Sequence, residues 1–449
     1  MSQNRTVQII RFSAANHKSL RDHAELVLGP ALLKRLTPIP GTTLTDHTLP
    51  VIGIFGPNAS GKSTIVDALS YVRAAIAHSS TTWQASKFMH RAPFALDPTF
   101  AEGTSSYEVE FIHDGNRYSY SFDVAKQGVD REELRVAGTK WRRLLSRDSK
   151  DVPVTGTGVV PLGQVARREL ALSRAVTLDH PVLAPIGLAL IEGIEIAPHG
   201  DSFSQRRLQA ITDALADSTV TRDDVLTLLQ IADIGVRGVA VREEPMPADY
   251  LRLLAAIKEV RNETDLAEAG DTEPSDRATP ESEPLVMRTL EFDHRGAAGA
   301  RPLLMHEESS GTVMWLSLAF PALDVLRHGG VLVVDEIDSS LHPHLAATLI
   351  GFFQDPESNP YGAQLIFTSH DSHLLSPQGA LGLRREQIWF TEKDNDGATE
   401  LFSLADFPQV KDANVSKRYL EGRYGAVPRT APALMRRLVM QPESEDLDH

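Results

Sequence analysis

Hydrophobic and polar positions along this chain fall into distinct textures, and each texture predicts a different element. Short, unbroken apolar runs occur at Val51 to Phe55, Val331 to Val334 and Gln364 to Thr368. Such runs suit parallel strands buried on both faces. Val7 to Phe12 reads as a first strand, with Leu26 to Leu28 as its hairpin partner. Elsewhere the pattern alternates strictly. Tyr107, Val109 and Phe111 alternate with Glu108 and Glu110, and Tyr118, Tyr120 and Phe122 alternate with Ser119, Ser121 and Asp123. Asp114-Gly115 between them is a hairpin signal. Leu134 to Val136 and Trp141 to Leu145 extend this texture into an antiparallel meander. Helical spacing marks Ile65, Val66, Leu69, Val72 and Ile76, predicting a helix from Ser63 to His78. Further helices are expected over Gln205 to Ala216, Asp223 to Ala232, Val313 to Leu326 and Pro343 to Gln354. Leu290 to Phe292 reads as a strand, and Gln387 to Phe390 with Glu400 to Leu404 as a late hairpin.

These elements predict an α/β fold and a division of the chain. Residues 1–145 hold the Gly-rich loop and the meander. Residues 146–285 read as a mostly helical insertion, and 286–430 return to the strand–helix rhythm. Within the insertion, residues 265–284 carry Asp265, Glu268, Asp271, Glu273, Asp276, Glu281 and Glu283 against Arg277, with almost nothing apolar. Such a stretch cannot bury enough surface to order itself, so it is expected to be a disordered, solvated excursion. Residues 431–449 read as a flexible acidic tail.

Composition narrows the class. The 449 residues are 42% hydrophobic and 23% charged, a soluble globular balance. Cysteine is absent, which excludes disulfides, thiolate metal sites and a cysteine nucleophile. Met1 to Arg11 is polar, so no signal peptide is expected and a cytoplasmic location is read. Pro181 to Ile191 is apolar but too short to cross a bilayer, and no membrane partner is expected. The net charge is −15. A broad grip on nucleic acid needs a basic surface, so nucleic acid is a possible partner that the charge does not indicate.

Four blocks carry candidate chemistry. Gly56-Pro57-Asn58-Ala59-Ser60-Gly61-Lys62-Ser63-Thr64 fits G-x-x-x-x-G-K-[ST] between an apolar strand and a helix start. The glycines let successive N–H groups turn inward onto phosphate oxygens, and the helix N-terminus adds positive potential. Lys62 is placed for the β- and γ-phosphates of ATP and Ser63 for Mg²⁺. Thr64 reads as a first-turn residue that also touches a phosphate. Asp335, at the carboxyl end of the Val331 to Val334 run, suits a direct or water-mediated hold on Mg²⁺, and Glu336 a general base. His370 ends another apolar run, able to donate to the γ-phosphate or the attacking water. A capping segment built on Ser369 or Asp371 would read similarly. Glu308-Ser309-Ser310-Gly311-Thr312 precedes a helix and offers either an ordinary N-cap or a second phosphate cradle. One nucleotide does not need two cradles. A second protomer presenting Ser309, Ser310 and Gly311 to the first protomer's ATP explains the pair through a two-fold interface.

In this order the blocks resemble ABC-type ATPase heads of the SMC and RecF kind. More closely they resemble bacterial AAA-family ATPases linked to abortive infection and phage resistance. Asp335-Glu336-Ile337-Asp338-Ser339-Ser340-Leu341-His342-Pro343 stands as Walker B plus D-loop, Thr368-Ser369-His370-Asp371 as the H-switch, and Tyr419 to Pro428 as a C-terminal signature of that group. The resemblance implies a P-loop NTPase with an ABC-type head, a mixed sheet with an antiparallel β subdomain, and a helical inserted domain. It implies a homodimer closed around ATP, Ser309 to Gly311 acting on the partner's γ-phosphate, and Ser339 near the dimer seam. It also implies a role in phage defence with a separately encoded effector, a nuclease or toxin. The sequence departs from the pattern in Ser-Ser-Gly for Ser-Gly-Gly and in His342 where transporters carry Asp. Gln84 is the candidate for the Q-loop glutamine.

Other readings compete. A DNA-repair ATPase of the RecF or SMC type would bind DNA directly and need a continuous basic face. A transporter motor would need a coupling helix that nothing here resembles. His342, His344, His370 and His373 fall on separate segments and do not read as a metal site. Asp394-Asn395-Asp396 mimics a nuclease Asp-x-Asp but precedes Gly397 and reads as a turn. Arg142, Arg143 and Arg147, and Lys417, Arg418 and Arg423, read as solvated faces or ion-pair partners.

Overall fold

The computed structural model describes residues 7–29, 43–148, 152–218, 220–232, 235–246, 252, 286–296, 301–339, 341–376, 382–409 and 414–426. The acidic stretch 265–284, the tail 431–449, Ser340, Val427 and Pro428 lie outside them. The chain forms two compact units, Met1–His199 with Pro321–His449, and Gly200–Phe320.

The larger unit holds two sheets. An antiparallel sheet contains β1 (Val7–Ala15), β2 (Ala24–Val27), β4 (Ser105–His113), β5 (Asn116–Ala125), β6 (Gly128–Ala137), β7 (Trp141–Asp148) and β8 (Val154–Thr155), in the order β2-β1-β4-β5-β6-β7-β8. The β4–β5 turn has positive φ at Asp114 and Gly115, 47° and 71°, as a tight primed turn requires. The second sheet contains β3 (Val51–Phe55), β9 (Ile194–Ala197), β13 (Val331–Val334), β14 (Gln364–Ser369), β15 (Ile388–Lys393) and β16 (Thr399–Ser403). Its order is β16-β15-β3-β14-β13-β9, parallel throughout except for the β15–β16 hairpin at one edge. This is a mixed sheet beside an antiparallel β subdomain, as the resemblance implied.

Helix α1 (Lys62–His78) buries Ile65, Val66, Leu69, Val72 and Ile76, the positions its periodicity singled out. One apolar cluster joins these residues to both sheets. Polar stitching joins them too. The fully buried Gln364 side chain accepts from Ile9 N–H at 2.6 Å and donates to the carbonyls of Ile9 and Leu49, both at 3.0 Å. One amide on β14 therefore satisfies two backbone groups of β1 in the other sheet and one just before β3 that would otherwise be buried unpaired.

The region after Ser146 is less helical than its composition suggested. The short helix Pro98–Glu102 is α2, and α3 (Ala171–Thr177) and α4 (Leu183–Gly193) follow β8. Then β9 continues from α4 with no intervening loop and pairs parallel with β13. Because both elements are apolar, the change of period is hidden in one greasy stretch.

The smaller unit contains α5 (Asp201–Ala216), α6 (Arg222–Ile231) and an antiparallel sheet of β10 (Val236–Pro245), β11 (Val286–His294) and β12 (Leu303–Leu304). The ten-residue β10 also lies where helix was expected. Its alternation is broken by Gly238 and its outer positions are charged, so its pairing with β11 decides the conformation. A capping box of Thr221 and Asp224 opens α6. Trp315, fully buried, donates its indole N–H to the Leu228 carbonyl at 2.7 Å.

Replacing Gln364 by the near-isosteric Leu should leave three buried backbone groups without partners. Urea unfolding should show a loss of about 2–4 kcal/mol, since each orphaned group costs about 1–3 kcal/mol less whatever the site regains by relaxing. An unchanged midpoint would mean the two sheets do not depend on this joint.

Candidate nucleotide-binding site

The Gly-rich loop connects β3, wholly buried, to α1. Gly61 takes φ 104° as the N-cap of α1, which favours glycine. Ala59 at the exposed loop tip takes φ 64°, a conformation that costs a non-glycine residue about 1–2 kcal/mol. The loop is held from behind by the β15–β16 hairpin. Ser60 and Thr391 share a hydroxyl hydrogen bond of 2.6 Å, and Thr399 donates to the Ser60 carbonyl at 2.9 Å. A Cβ on Gly56 would stand 2.6 Å from the Thr391 carbonyl oxygen, and one on Gly61 2.0 Å from the Thr399 hydroxyl. The glycines thus serve packing against threonines as well as the turn. Thr64, expected at a phosphate, bonds through its hydroxyl to Ser19 at 2.9 Å. Asn58 is exposed and Pro57 partly so.

Lys62 is buried and folds back on its own loop, donating to the carbonyls of Gly56 at 2.8 Å and Pro57 at 3.0 Å. Burial pushes its ammonium below the ordinary lysine value, against the opposite pull of Glu336, Asp338 and Asp335. Ser63 is exposed and donates its hydroxyl to Asp335 Oδ1 at 3.1 Å. The same carboxylate oxygen accepts from Thr368 at 2.6 Å, and the Thr368 hydroxyl accepts from Glu336 N–H at 2.7 Å. Thr368 at the end of β14 therefore fixes both acids at the end of β13. Glu336 itself takes φ 52°, a second strained non-glycine backbone beside the loop. Ser63, Thr64, Asp335, Lys18, Asp67 and Ile196 line part of a cavity of about 180 Å³.

His370 is half exposed and pairs through Nδ1 with Asp338 Oδ2 at 3.0 Å. Ser369 accepts from Asp371 N–H at 2.9 Å, and Asp371 caps the following turn by accepting from His373 N–H at 2.8 Å. The capping reading and an available imidazole are thus both realised in one segment. Gln84 is elsewhere. It sits past the far end of α1, its amide donating to the Ser79 carbonyl, so the Q-loop expectation fails. A helix of 17 residues spans about 25 Å, which keeps Gln84 from Asp335. The side chain that faces Glu336 is His199, whose Nδ1 lies 3.5 Å from Glu336 Oε2.

The loop, Asp335, Glu336 and His370 are brought together by the parallel sheet. Ser309, Ser310 and Gly311 belong to the smaller unit. Ser309 and Ser310 are exposed, and Ser310 begins the helix Ser310–His328. Ser309 accepts from Thr312 N–H at 3.1 Å, an ordinary N-cap, while Glu308 is buried against His294 at 2.5 Å. Thr391, Thr399 and His199 were not read as site residues, and Thr368 was read only as the start of the H-switch segment, without its hold on the two acids. A hydroxyl closing an apolar strand was the available signal for Thr368; the hairpin threonines carried none.

The other trails resolve locally. Asp394 accepts from Asp396 and Ala398 N–H at 2.9 and 2.8 Å, a turn between β15 and β16. His342 and His344 stack on each other. Arg147 is buried and donates to the carbonyls of Glu169 and Ala166, and Arg143 pairs with Glu133. Lys417 and Arg423 both stand near Glu421.

A buried strand, a glycine loop on a helix N-terminus and an acid at the end of a neighbouring parallel strand define a P-loop nucleoside triphosphatase fold. The chain belongs to the family described as "AAA domain, putative AbiEii toxin, Type IV TA system", whose model matches residues 51–153 and 243–376, just over half its length. Among solved structures, one titled "Crystal structure of the SmcHead bound to the C-winged helix domain of ScpA" is similar at 13% identity and a TM-score of 0.36, covering 92% of this chain and 99% of that one. Among curated proteins nothing matches. Among the described residues no helix is long and apolar enough to cross a membrane.

Gly61→Ala should both strain the loop and strike Thr399. Its stability should fall by about 2 kcal/mol or more, and titration with a fluorescent ATP analogue should show nucleotide affinity largely lost. Unchanged affinity would mean the loop does not hold nucleotide in this conformation.

Proposed function

We propose that this protein binds and hydrolyses ATP with Mg²⁺ and works as a nucleotide-driven dimeric switch. The observation that carries the reading is the convergence of Ser63 and Asp335, 3.1 Å apart, beside the Gly-rich loop. Mg²⁺ takes oxygen ligands and keeps several waters. A hydroxyl and a carboxylate on the edge of a small cavity fit that ion, and Ser63 and Asp335 would hold it. Bound there, Mg²⁺ would neutralise charge on the phosphate oxygens.

The remaining residues divide the work. Backbone N–H groups of the Gly-rich loop and of the start of α1 receive phosphate oxygens. Lys62 exchanges its bonds to the Gly56 and Pro57 carbonyls for phosphate oxygens. A buried ammonium hydrogen-bonded to neutral carbonyls gains from an arriving anion. Glu336 takes the proton of the water that attacks the γ-phosphorus as the bond to ADP breaks. His370, paired with Asp338, is placed as the γ-phosphate switch.

The exposed Ser309–Ser310 turn supports the dimer. Each subunit would present it to the nucleotide of its twin, so two ATP molecules bridge the closed form and favour it over the open one. The family description supports a defence setting, in which the ATPase state holds or releases a separately encoded effector, a nuclease or toxin. This cycle is read as cytoplasmic.

Glu336→Gln should retain ATP and accumulate dimer on gel filtration, and a monomer peak unchanged with ATP bound would count against the sandwich. Lys62→Ala should bind ATP at least about tenfold more weakly, the loss expected for one charge-assisted hydrogen bond. Ordinary affinity in that variant would remove the loop from the site.

A further inference from the structure

The three acids that follow β13 have different partners. Asp335 is taken by Ser63 and Thr368, and Asp338 by His370. Glu336 faces His199. That contact is built by the sheet. In the β9–β13 register Ala197 lies opposite Val334, and Asp335 N–H extends the ladder by donating to the Ala197 carbonyl at 2.9 Å. Two residues beyond Ala197, the chain delivers His199 alongside Glu336. The Glu336 backbone is independently fixed by Thr368 and by its own left-handed turn. Its carboxylate, one-third exposed, keeps the freedom to rotate.

We propose that His199 is the positioning residue for Glu336. It confines the rotation of the carboxylate so that one oxygen stays turned toward the attacking water. It acts through Glu336 and does not touch the nucleotide. The 3.5 Å separation is long for a hydrogen bond, and such contacts tighten when substrate completes the site. The imidazole needs only to donate from Nδ1, so a neutral ring of the right tautomer suffices, and a side-chain amide can replace it. The proposal rests on the reading of Glu336 as the general base.

The test is a double-mutant cycle on the full chain with Mg²⁺ and ATP. His199→Ala should lower kcat by roughly tenfold to a hundredfold, the scale of losing an orienting partner. KM and the affinity for a fluorescent ATP analogue should stay within about twofold, because only a transition-state interaction is removed. His199→Gln should recover most of the rate, which a packing role would not grant. In the Glu336→Gln background, His199→Ala should cost nothing further, since the two act as a unit. Unchanged kcat in His199→Ala, with Glu336→Gln reduced to a small residual rate, would overturn the positioning role alone. So would an equal fractional loss in both backgrounds. Full turnover by Glu336→Gln would instead overturn the general-base reading, and this proposal with it. Should His199→Ala fail to fold, His199→Leu, which fills similar space without a donor, carries the same comparison.

Discussion

The contact between the Ser63 hydroxyl and the Asp335 carboxylate is the point on which the rest of this structure turns. Ser63 lies in the first turn of α1 and Asp335 directly follows β13, 272 residues apart along the chain. Their meeting requires β3, β14 and β13 to lie parallel and adjacent, with their carboxyl ends level. Everything else serves that alignment. Gln364 ties the parallel sheet to the antiparallel one, Thr368 bridges from the middle strand to both acids, and the threonines of the β15–β16 hairpin brace the loop from the opposite side. Strain at Ala59 and Glu336 is tolerated because these neighbours over-determine the backbone.

What the sequence revealed followed from locality. The Gly56 to Thr64 loop and the Val331 to Glu336 run each carry their chemistry within a few consecutive residues. Their flanking periodicity then announces the strand or helix that presents them. The meander was equally legible, since alternation and the Asp114-Gly115 turn are both short-range. The brace behind the loop was not. Thr391 and Thr399 matter only because β15 lies next to β3, a fact of topology. His199 was hidden for another reason. It follows a four-residue strand fused to an apolar helix, and no periodicity separates the two. Gln84 attracted attention as the right residue type, but the structure gives its amide a carbonyl partner beyond the far end of α1.

Family and geometry together place the chain among AAA ATPase domains. On the proposed reading, the two halves of a nucleotide clamp belong to separate compact units. The larger carries the loop, both acids and His370, and the smaller carries the exposed Ser309–Ser310 turn. Ser309 already caps its helix, and Ser310 beside it is exposed. The dimer proposal is physically economical in that respect. It gives a function to an exposed polar turn that the fold does not need buried.

The central claim is that one ATP is shared between the Lys62 loop of one subunit and the Ser310 turn of its twin. Mixing two inactive variants, Lys62→Ala and Ser310→Arg, tests it most directly. In a mixed pair one composite site is intact, with its loop from the Ser310→Arg chain and its turn from the Lys62→Ala chain. The account predicts that ATP hydrolysis returns on mixing. A mixture as inactive as its components, although the two chains are shown to pair, would contradict it.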